Sequence, residues 1–153
     1  LLALLKNNLT GFNPNIFHTL VNLKSLFIDH NLITHLEPRT FSHLTKLTTL
    51  SITHNPIESI SSNLFEDLQS LTDLALGATK ITSLDPITFR NLKNLKNLFI
   101  YRNPITNLRA GTFKDLPKLE TLSIELTKIS SVEPLTFDNL PSLVLLKLSR
   151  GLL

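Results

Sequence analysis

The amino-acid sequence predicts a curved solenoid of the α/β class, with one parallel β-sheet on its concave face and an irregular convex side. Three observations predict this fold. The apolar pattern of residues 95–118 returns in the preceding segment, 71–94, and in the following segment, 119–142. Each unit opens with the same short strand pattern, and each complete unit carries a phenylalanine at the same place. A fixed period of this length is typical of stacked repeats that contact only their neighbours.

The composition limits the kinds of function that the chain can have. Its net charge is +3, and its 15 lysine and arginine residues are scattered without a basic run, so no nucleic-acid partner is expected. Cysteine is absent, which excludes disulfides and thiolate metal sites. No apolar run approaches the roughly 18 residues of a membrane span, so membrane attachment is expected only through flanking regions.

We expect one uninterrupted array over residues 1–153. Because the chain begins and ends inside a repeat and does not start with methionine, we expect it to be a piece of a longer protein. Counted from the first leucine of each unit, the predicted repeats are a partial repeat at 1–22, complete repeats at 23–46, 47–70, 71–94, 95–118 and 119–142, and a partial repeat at 143–153.

The strand of each unit is predicted from the pattern L-x-x-L-x-L, in which every second side chain faces inward. Strands that recur at one fixed interval by the same return path must pair in parallel. At Leu1–Leu5 two other interpretations exist, the tail of a secretory signal and a short docking helix, but the repeat pattern favours a first core strand. The predicted strands lie near 2–5, 26–29, 50–53, 74–77, 98–101, 122–125 and 146–149.

The ninth position of each unit is predicted to form a structural ladder of side chains inside the stack. An asparagine there can both donate to and accept from the backbone groups left where each strand ends. Thr79 and Thr127 have fewer hydrogen-bonding groups and should hold the ladder less completely. The predicted members are Asn7, Asn31, Asn55, Thr79, Asn103 and Thr127, followed by Gly151 as an open last position.

The nineteenth position is predicted to form a phenylalanine spine beneath the convex side, where prolines and serines favour turns and short 3₁₀ pieces. Six of the nine phenylalanines occupy it: Phe17, Phe41, Phe65, Phe89, Phe113 and Phe137.

The pattern L-x-x-L-x-L-x-x-N-x-L at 47–57 and 95–105 resembles the leucine-rich repeat. The 24-residue length, with L-x-P-x-x-F-x-x-L at 84–92, resembles the typical animal extracellular subclass, which includes Toll-like receptors, Slit, small matrix proteoglycans and variable lymphocyte receptors. The resemblance implies a right-handed superhelix in an extracellular or cell-surface protein. It also implies binding of a macromolecular partner through the concave face. The cysteine-rich caps usual in this subclass are absent, which fits a fragment of an array.

The main partner-binding site is predicted at Phe99, Tyr101 and Arg102, with Glu125 on the next strand. Positions two, three, five, seven and eight of each unit should face outward from the sheet, and most of them are small or polar. Exposed aromatic residues beside an arginine are the composition of a binding hot spot. Small neighbours, Gly77 among them, are expected to leave room for a side chain of the partner.

A lesser binding patch is predicted at Phe27, Asp29 and His30. His30 and His54 occupy the same position in neighbouring units and should lie about 5 Å apart. With Asp29 they could bind a metal or respond to pH. Two histidines and one carboxylate make an incomplete ligand set, so solvated histidines are the favoured interpretation, and neither a metal nor a cofactor is predicted.

The motifs of catalysis are missing, and the carboxylates are scattered, so we expect no enzyme activity. Asn8-Leu9-Thr10 is a glycosylation sequon, which makes Asn8 a candidate attachment site. The favoured function is non-catalytic binding of a protein ligand or co-receptor. The alternative is a structural spacer or scaffold segment of a longer array, for which a cytoplasmic location stays open. Without caps, the chain could also associate end to end with itself.

Overall fold

The parallel sheet runs the length of the described chain. The computed structural model describes residues 1–150, without the side chain of Arg150; the predicted position at Gly151 and the last residues of the partial repeat lie outside this range. The strands are β1 (Leu2–Ala3), β2 (Ser25–Phe27), β3 (Thr49–Ser51), β4 (Asp73–Ala75), β5 (Asn97–Phe99), β6 (Asn107–Leu108), β7 (Thr121–Thr127), β8 (Ser131–Val132) and β9 (Leu145–Arg150).

Seven of these strands form the main sheet in the order β1-β2-β3-β4-β5-β7-β9, each parallel to the next. Paired residues occupy the same position in neighbouring repeats, as in Leu26 with Leu50 and Leu50 with Leu74. Each strand with its return segment is called a rung below, numbered from the rung of β1. The predicted fold class, a solenoid with a parallel sheet, is confirmed.

Strands β2 to β5 begin one residue earlier and end two residues earlier than predicted. The backbone pairing nevertheless continues beyond them, since Ile28 N donates to Ser51 O at 2.9 Å and His30 N donates to Thr53 O at 3.0 Å. At the eighth position the backbone enters the left-handed region, with φ of 55° at His30, 52° at Ala78 and 54° at Arg102. This conformation turns the chain out of the sheet after strands β2 to β5, whereas β7 continues through Leu126, with φ of 56°, to Thr127 and shifts its register against β9 there.

A second, two-stranded parallel sheet was not predicted. It joins β6 to β8 on the return segments of neighbouring rungs, with Asn107 opposite Ser131 and Leu108 opposite Val132. Elsewhere in residues 1–150 the return segments are turns and extended chain, and no helix forms, so the predicted 3₁₀ pieces are reduced to single turns. The described residues therefore include no helical segment with the length and hydropathy that a bilayer crossing requires.

The core lies between the sheet and the return segments. Phe41, Phe89 and Phe113 are fully buried, as predicted for the spine. Their rings repeat in parallel, with centroids 6.2 Å apart between Phe89 and Phe113 and 5.8 Å between Phe113 and Phe137. Burial of each such side chain contributes roughly 1.5–3 kcal/mol, so the spine and the leucine columns supply most of the stabilisation.

The ninth-position asparagines connect neighbouring rungs. Asn31 Nδ2 donates to Leu4 O at 2.8 Å and to Ile28 O at 2.9 Å, while its Oδ1 accepts from Leu9 N at 3.2 Å. Asn55 and Asn103 make the corresponding three bonds.

The threonines at this position make fewer hydrogen bonds to the backbone than the asparagines do. Thr79 Oγ1 contacts Leu76 O and Thr127 Oγ1 contacts Ile124 O, each at 3.3 Å and each within its own rung. Thr79 also donates to Asn103 Oδ1 in the next rung. Asn7, on the first rung, is exposed, and its side chain donates to Leu5 O at 3.1 Å.

Candidate functional site

The most specific feature of the sheet face is the position of the Tyr101 ring. An ideal Cβ built on Gly77 would lie 2.4 Å from Tyr101 Cζ and 2.5 Å from its Cε1. The ring therefore fills the space that any side chain at Gly77 would need. The expectation that Gly77 leaves room for a partner's side chain is wrong, because Tyr101 itself occupies that room.

Phe99 is the last residue of β5 and precedes Tyr101 by two residues. It is half-buried, and its Cα partners are Ala75 on β4 and Ser123 on β7. Small residues on both sides leave part of the ring accessible. Phe99 and Tyr101 thus form one half-buried aromatic pair on rung 5.

A shallow depression of about 300 Å³ opens beside Tyr101, between rungs 5, 6 and 7, and Phe99 does not line it. It is lined by Tyr101, Arg102, Glu125, Leu126 and Ser149. Arg102 N donates to Glu125 O at 2.8 Å, and Glu125 Oε2 accepts from Ser123 Oγ at 3.1 Å.

The charges of this depression are open to a ligand. Among the described residues the Arg102 guanidinium makes no ion pair, with Glu125 or with any other carboxylate. Leu126 is 44% exposed. The depression therefore presents a cation, an anion, a phenol and an apolar surface together, which suits a protein surface of mixed chemistry.

The predicted lesser patch is only partly available for binding. Asp29 is 9% exposed, and its Oδ1 accepts hydrogen bonds from Thr53 N at 2.9 Å and from the hydroxyls of Ser51 and Thr53. The expectation that Asp29 faces a partner is wrong, because its carboxylate joins rung 2 to rung 3. Phe27 is half-buried and His30 is exposed.

His30 and His54 stack face to face, with ring centroids 4.1 Å apart and planes 13° from parallel. Partial burial lowers the pKa of His54, and the nearby imidazole of His30 and the guanidinium of Arg102 lower it further. The carboxylate of Asp29 opposes them. Within residues 1–150 no three histidine or acidic side chains are grouped so that they could hold a metal ion.

Asn8 is exposed on the first rung, immediately after Asn7. The exposure leaves its amide accessible, and glycosylation at this sequon stays a prediction.

Comparison with known families identifies the repeat. A model of the BspA-type leucine-rich repeat region matches residues 5–144 in six copies. The chain belongs to this family. Leucine-rich repeats generally serve as protein-binding modules, and the finer assignment to the animal extracellular subclass stays a prediction.

Solved leucine-rich-repeat structures share this fold. TLR13, in its crystal structure with ssRNA13, is 33% identical over 94% of this chain, with a TM-score of 0.88. A leucine-rich-repeat protein of Leptospira interrogans is 27% identical over 94% of the chain, with a TM-score of 0.82. The chain spans only 20% of the first protein and 36% of the second. A comparison with curated protein sequences finds no match.

Two relationships at the site escaped the sequence argument although their signals were present. Gly77 and Tyr101 occupy the seventh position of neighbouring repeats, and Asp29 and Thr53 occupy that same position two rungs earlier. The sequence signal for both contacts is that the paired residues lie one repeat apart, so their side chains are neighbours on adjacent rungs.

Proposed function

We propose that this chain is a non-catalytic protein-binding module of an extracellular or cell-surface leucine-rich-repeat protein. Its binding site is the sheet face at Phe99, Tyr101, Arg102 and Glu125. The observation that carries the proposal is the seating of Tyr101 over Gly77 beside an open depression. An aromatic side chain held in place before binding loses little conformational entropy when a partner arrives.

The alternative is a spacer or scaffold segment, and the small side chains of rungs 3 and 4 favour it. Ser51, Ala75 and Gly77 present little surface for specific contacts. TLR13 was solved with a single-stranded RNA. In this chain the depression places the carboxylate of Glu125 and the exposed Leu126 beside Arg102, so its surface is mixed in charge and polarity. This arrangement supports a protein partner.

The test begins with a photo-crosslinking amino acid at Ser149, which lines the depression, and at Lys93 on a return segment as the control. A protein captured from Ser149 alone is then titrated against the Tyr101→Ala and Phe99→Ala variants. Loss of about 2 kcal/mol of binding free energy, roughly thirtyfold in Kd, is expected for Tyr101→Ala. Unchanged affinity in both variants, with the fold intact by circular dichroism, would favour the spacer.

A further inference from the structure

The net positive charge of the chain is concentrated on one edge of the solenoid. The strand-end edge is defined here as five residues of each rung, starting at the eighth position, where the backbone enters the left-handed region. Its segments are 6–10, 30–34, 54–58, 78–82, 102–106 and 126–130. It contains four lysine or arginine residues and one acidic residue, Glu58. The rest of the chain contains eleven basic and eleven acidic residues, so the whole net charge of +3 lies on this edge.

The edge carries one basic or protonatable side chain on each of its six rungs, and none of these makes an ion pair with a described residue. All are exposed except His54, which is half-buried. They are Lys6, His30, His54, Lys80, Arg102 and Lys128.

Several basic side chains elsewhere are engaged with neighbours. Lys46 Nζ lies 2.7 Å from Asn22 Oδ1, Lys118 Nζ lies 2.7 Å from Asn94 Oδ1, and Lys96 pairs with Glu120 at 3.1 Å. On the edge, by contrast, the side chains of Lys6, Lys80, Arg102 and Lys128 make no hydrogen bond or ion pair with another described residue, while His54 Nδ1 lies 3.2 Å from Thr53 Oγ1.

The spacing of the row suits an extended chain. Neighbouring strands of a sheet lie about 4.8 Å apart, so six rungs extend over about 24 Å. In an extended peptide, side chains on one side repeat about every 6.7 Å, so the three acidic side chains on one side of a six-residue segment would span about 13 Å, more than half of the row. Opposite charges along such a row guide association and set its register.

We propose that the strand-end edge binds an extended acidic segment of a protein partner, and that protonation of His54, which stacks on His30, tightens this binding. The proposal rests on the proposed function, since it names the chemistry of the partner that also reaches Arg102. Leu32 and Leu126 are 52% and 44% exposed on the same edge. Apolar residues among the cations favour a peptide over a uniformly charged polymer.

His54 makes the edge sensitive to pH. Its partial burial opposes its protonation, and the neighbouring His30 and Arg102 oppose it further, while the carboxylate of Asp29 favours it. A carboxylate of the bound segment would offset that repulsion, so proton uptake and binding should favour each other. Glutamate side chains remain ionised at pH 5.5, because their ordinary pKa is about 4.3.

The probe is an acetylated, amidated hexaglutamate peptide with a fluorescent label, followed by anisotropy at low ionic strength. The double variant Lys80→Gln/Arg102→Gln is compared with Arg90→Gln/Lys114→Gln, which removes the same charge from exposed sites on return segments. Loss of two exposed charge pairs should weaken binding roughly tenfold in the edge variant. Less than twofold is expected in the control; equal losses in both would overturn the proposal.

Three further measurements complete the test.

The first is pH dependence. Binding of hexaglutamate should tighten between pH 7.5 and 5.5, and this tightening should be absent in the His30→Gln/His54→Gln variant. A pH effect that survives the substitutions overturns the histidine assignment.

The other two measurements compare ligands and variants. Oligouridylate or heparin bound more tightly than hexaglutamate, with the same edge dependence, overturns the acidic-peptide assignment in favour of that polymer. Lys80→Gln/Lys128→Gln, which leaves Arg102 and the depression unchanged, should also weaken hexaglutamate binding, whereas Tyr101→Ala tests the proposed face through the captured partner. Failure of the edge and failure of the proposed face are therefore distinguishable.

Discussion

The ring of Tyr101 lies where Gly77 would carry its side chain, with Cζ 2.4 Å from an ideal Cβ at that position. The two residues occupy the same position on neighbouring rungs. A missing side chain on rung 4 therefore determines where an aromatic side chain of rung 5 rests. The orientation of the proposed binding residue is a property of the pair.

Gly77→Ala should move the Tyr101 ring and leave the fold intact, because the new methyl group meets the far end of a movable side chain. Tyr101 is the single tyrosine and there is no tryptophan, so the tyrosine fluorescence reports on this ring alone. Its anisotropy should change in Gly77→Ala, and partner affinity should fall as preorganisation is lost. Gly11→Ala is the control, since its Cβ would meet nothing within 4 Å. Identical signals from both variants would contradict the seating of the ring.

Asn103→Ala should lower the free energy of unfolding by about 2–4 kcal/mol, because it leaves buried backbone groups of two rungs without partners. Asn103 is 2% exposed and bonds Leu76 O, Ile100 O and Ile81 N. Asn7→Ala is the control, since its exposed side chain bonds Leu5 O alone, and it should cost less than about 1 kcal/mol. Urea unfolding of both variants measures the difference. Equal costs would show that the ladder does not stabilise the stack.

Thr88→Val should be neutral or stabilise the chain by up to about 1 kcal/mol, because it replaces an uncompensated polar group with a methyl group at almost constant volume. The Thr88 hydroxyl is buried and has no hydrogen-bond partner among the described residues. Thr112 occupies the same position one rung later and donates to Arg109 O at 2.7 Å, so Thr112→Val should cost about 1 kcal/mol. Thermal unfolding compares the stabilities of the two variants. A larger loss of stability in Thr88→Val than in Thr112→Val would disprove that the Thr88 hydroxyl is uncompensated.

Stability should fall as the pH drops below about 6.5, the ordinary pKa of histidine, partly because of His54. Its pKa is lowered in the folded state, so the unfolded chain binds the proton first and gains stability from it. At a pH above the histidine pKa of the unfolded chain, neither the folded nor the unfolded state is protonated, and His54 no longer affects stability. Urea midpoints at pH 7.5 and pH 5 should therefore differ less in His54→Gln than in the native chain. A His54→Gln variant with the same pH dependence as the native chain would refute this contribution.

The exposed end of the described stack should promote association between copies. A depression of about 210 Å³ opens there, lined by Ile124, Ile129, Val132 and Leu148 among others, and Leu148 is 43% exposed. Light scattering should show a mass that rises with concentration, and Leu148→Lys should suppress the rise. Leu135→Lys, at an exposed site on a return segment, is the control and should not. A monomer at every concentration would rule out this association.

The sequence by itself determined the architecture, because burial imposes the same requirement on every rung. Leu50, Leu74 and Leu98 must face inward at one position, so a constant repeat length fixes both the strand pairing and the buried columns. The phenylalanine spine followed from the same requirement, and so did the choice of Phe99 and Tyr101 as outward-facing residues.

Only the tertiary structure decided what the outward-facing residues do. Asp29 is held by Ser51 and Thr53, and Tyr101 rests on Gly77, because side chains on neighbouring rungs lie close enough to bond or pack with each other. The second sheet formed by β6 and β8 also depends on how closely two return segments approach. Contacts of this kind depend on distances between rungs, whereas the repeat pattern reports only which way each side chain points.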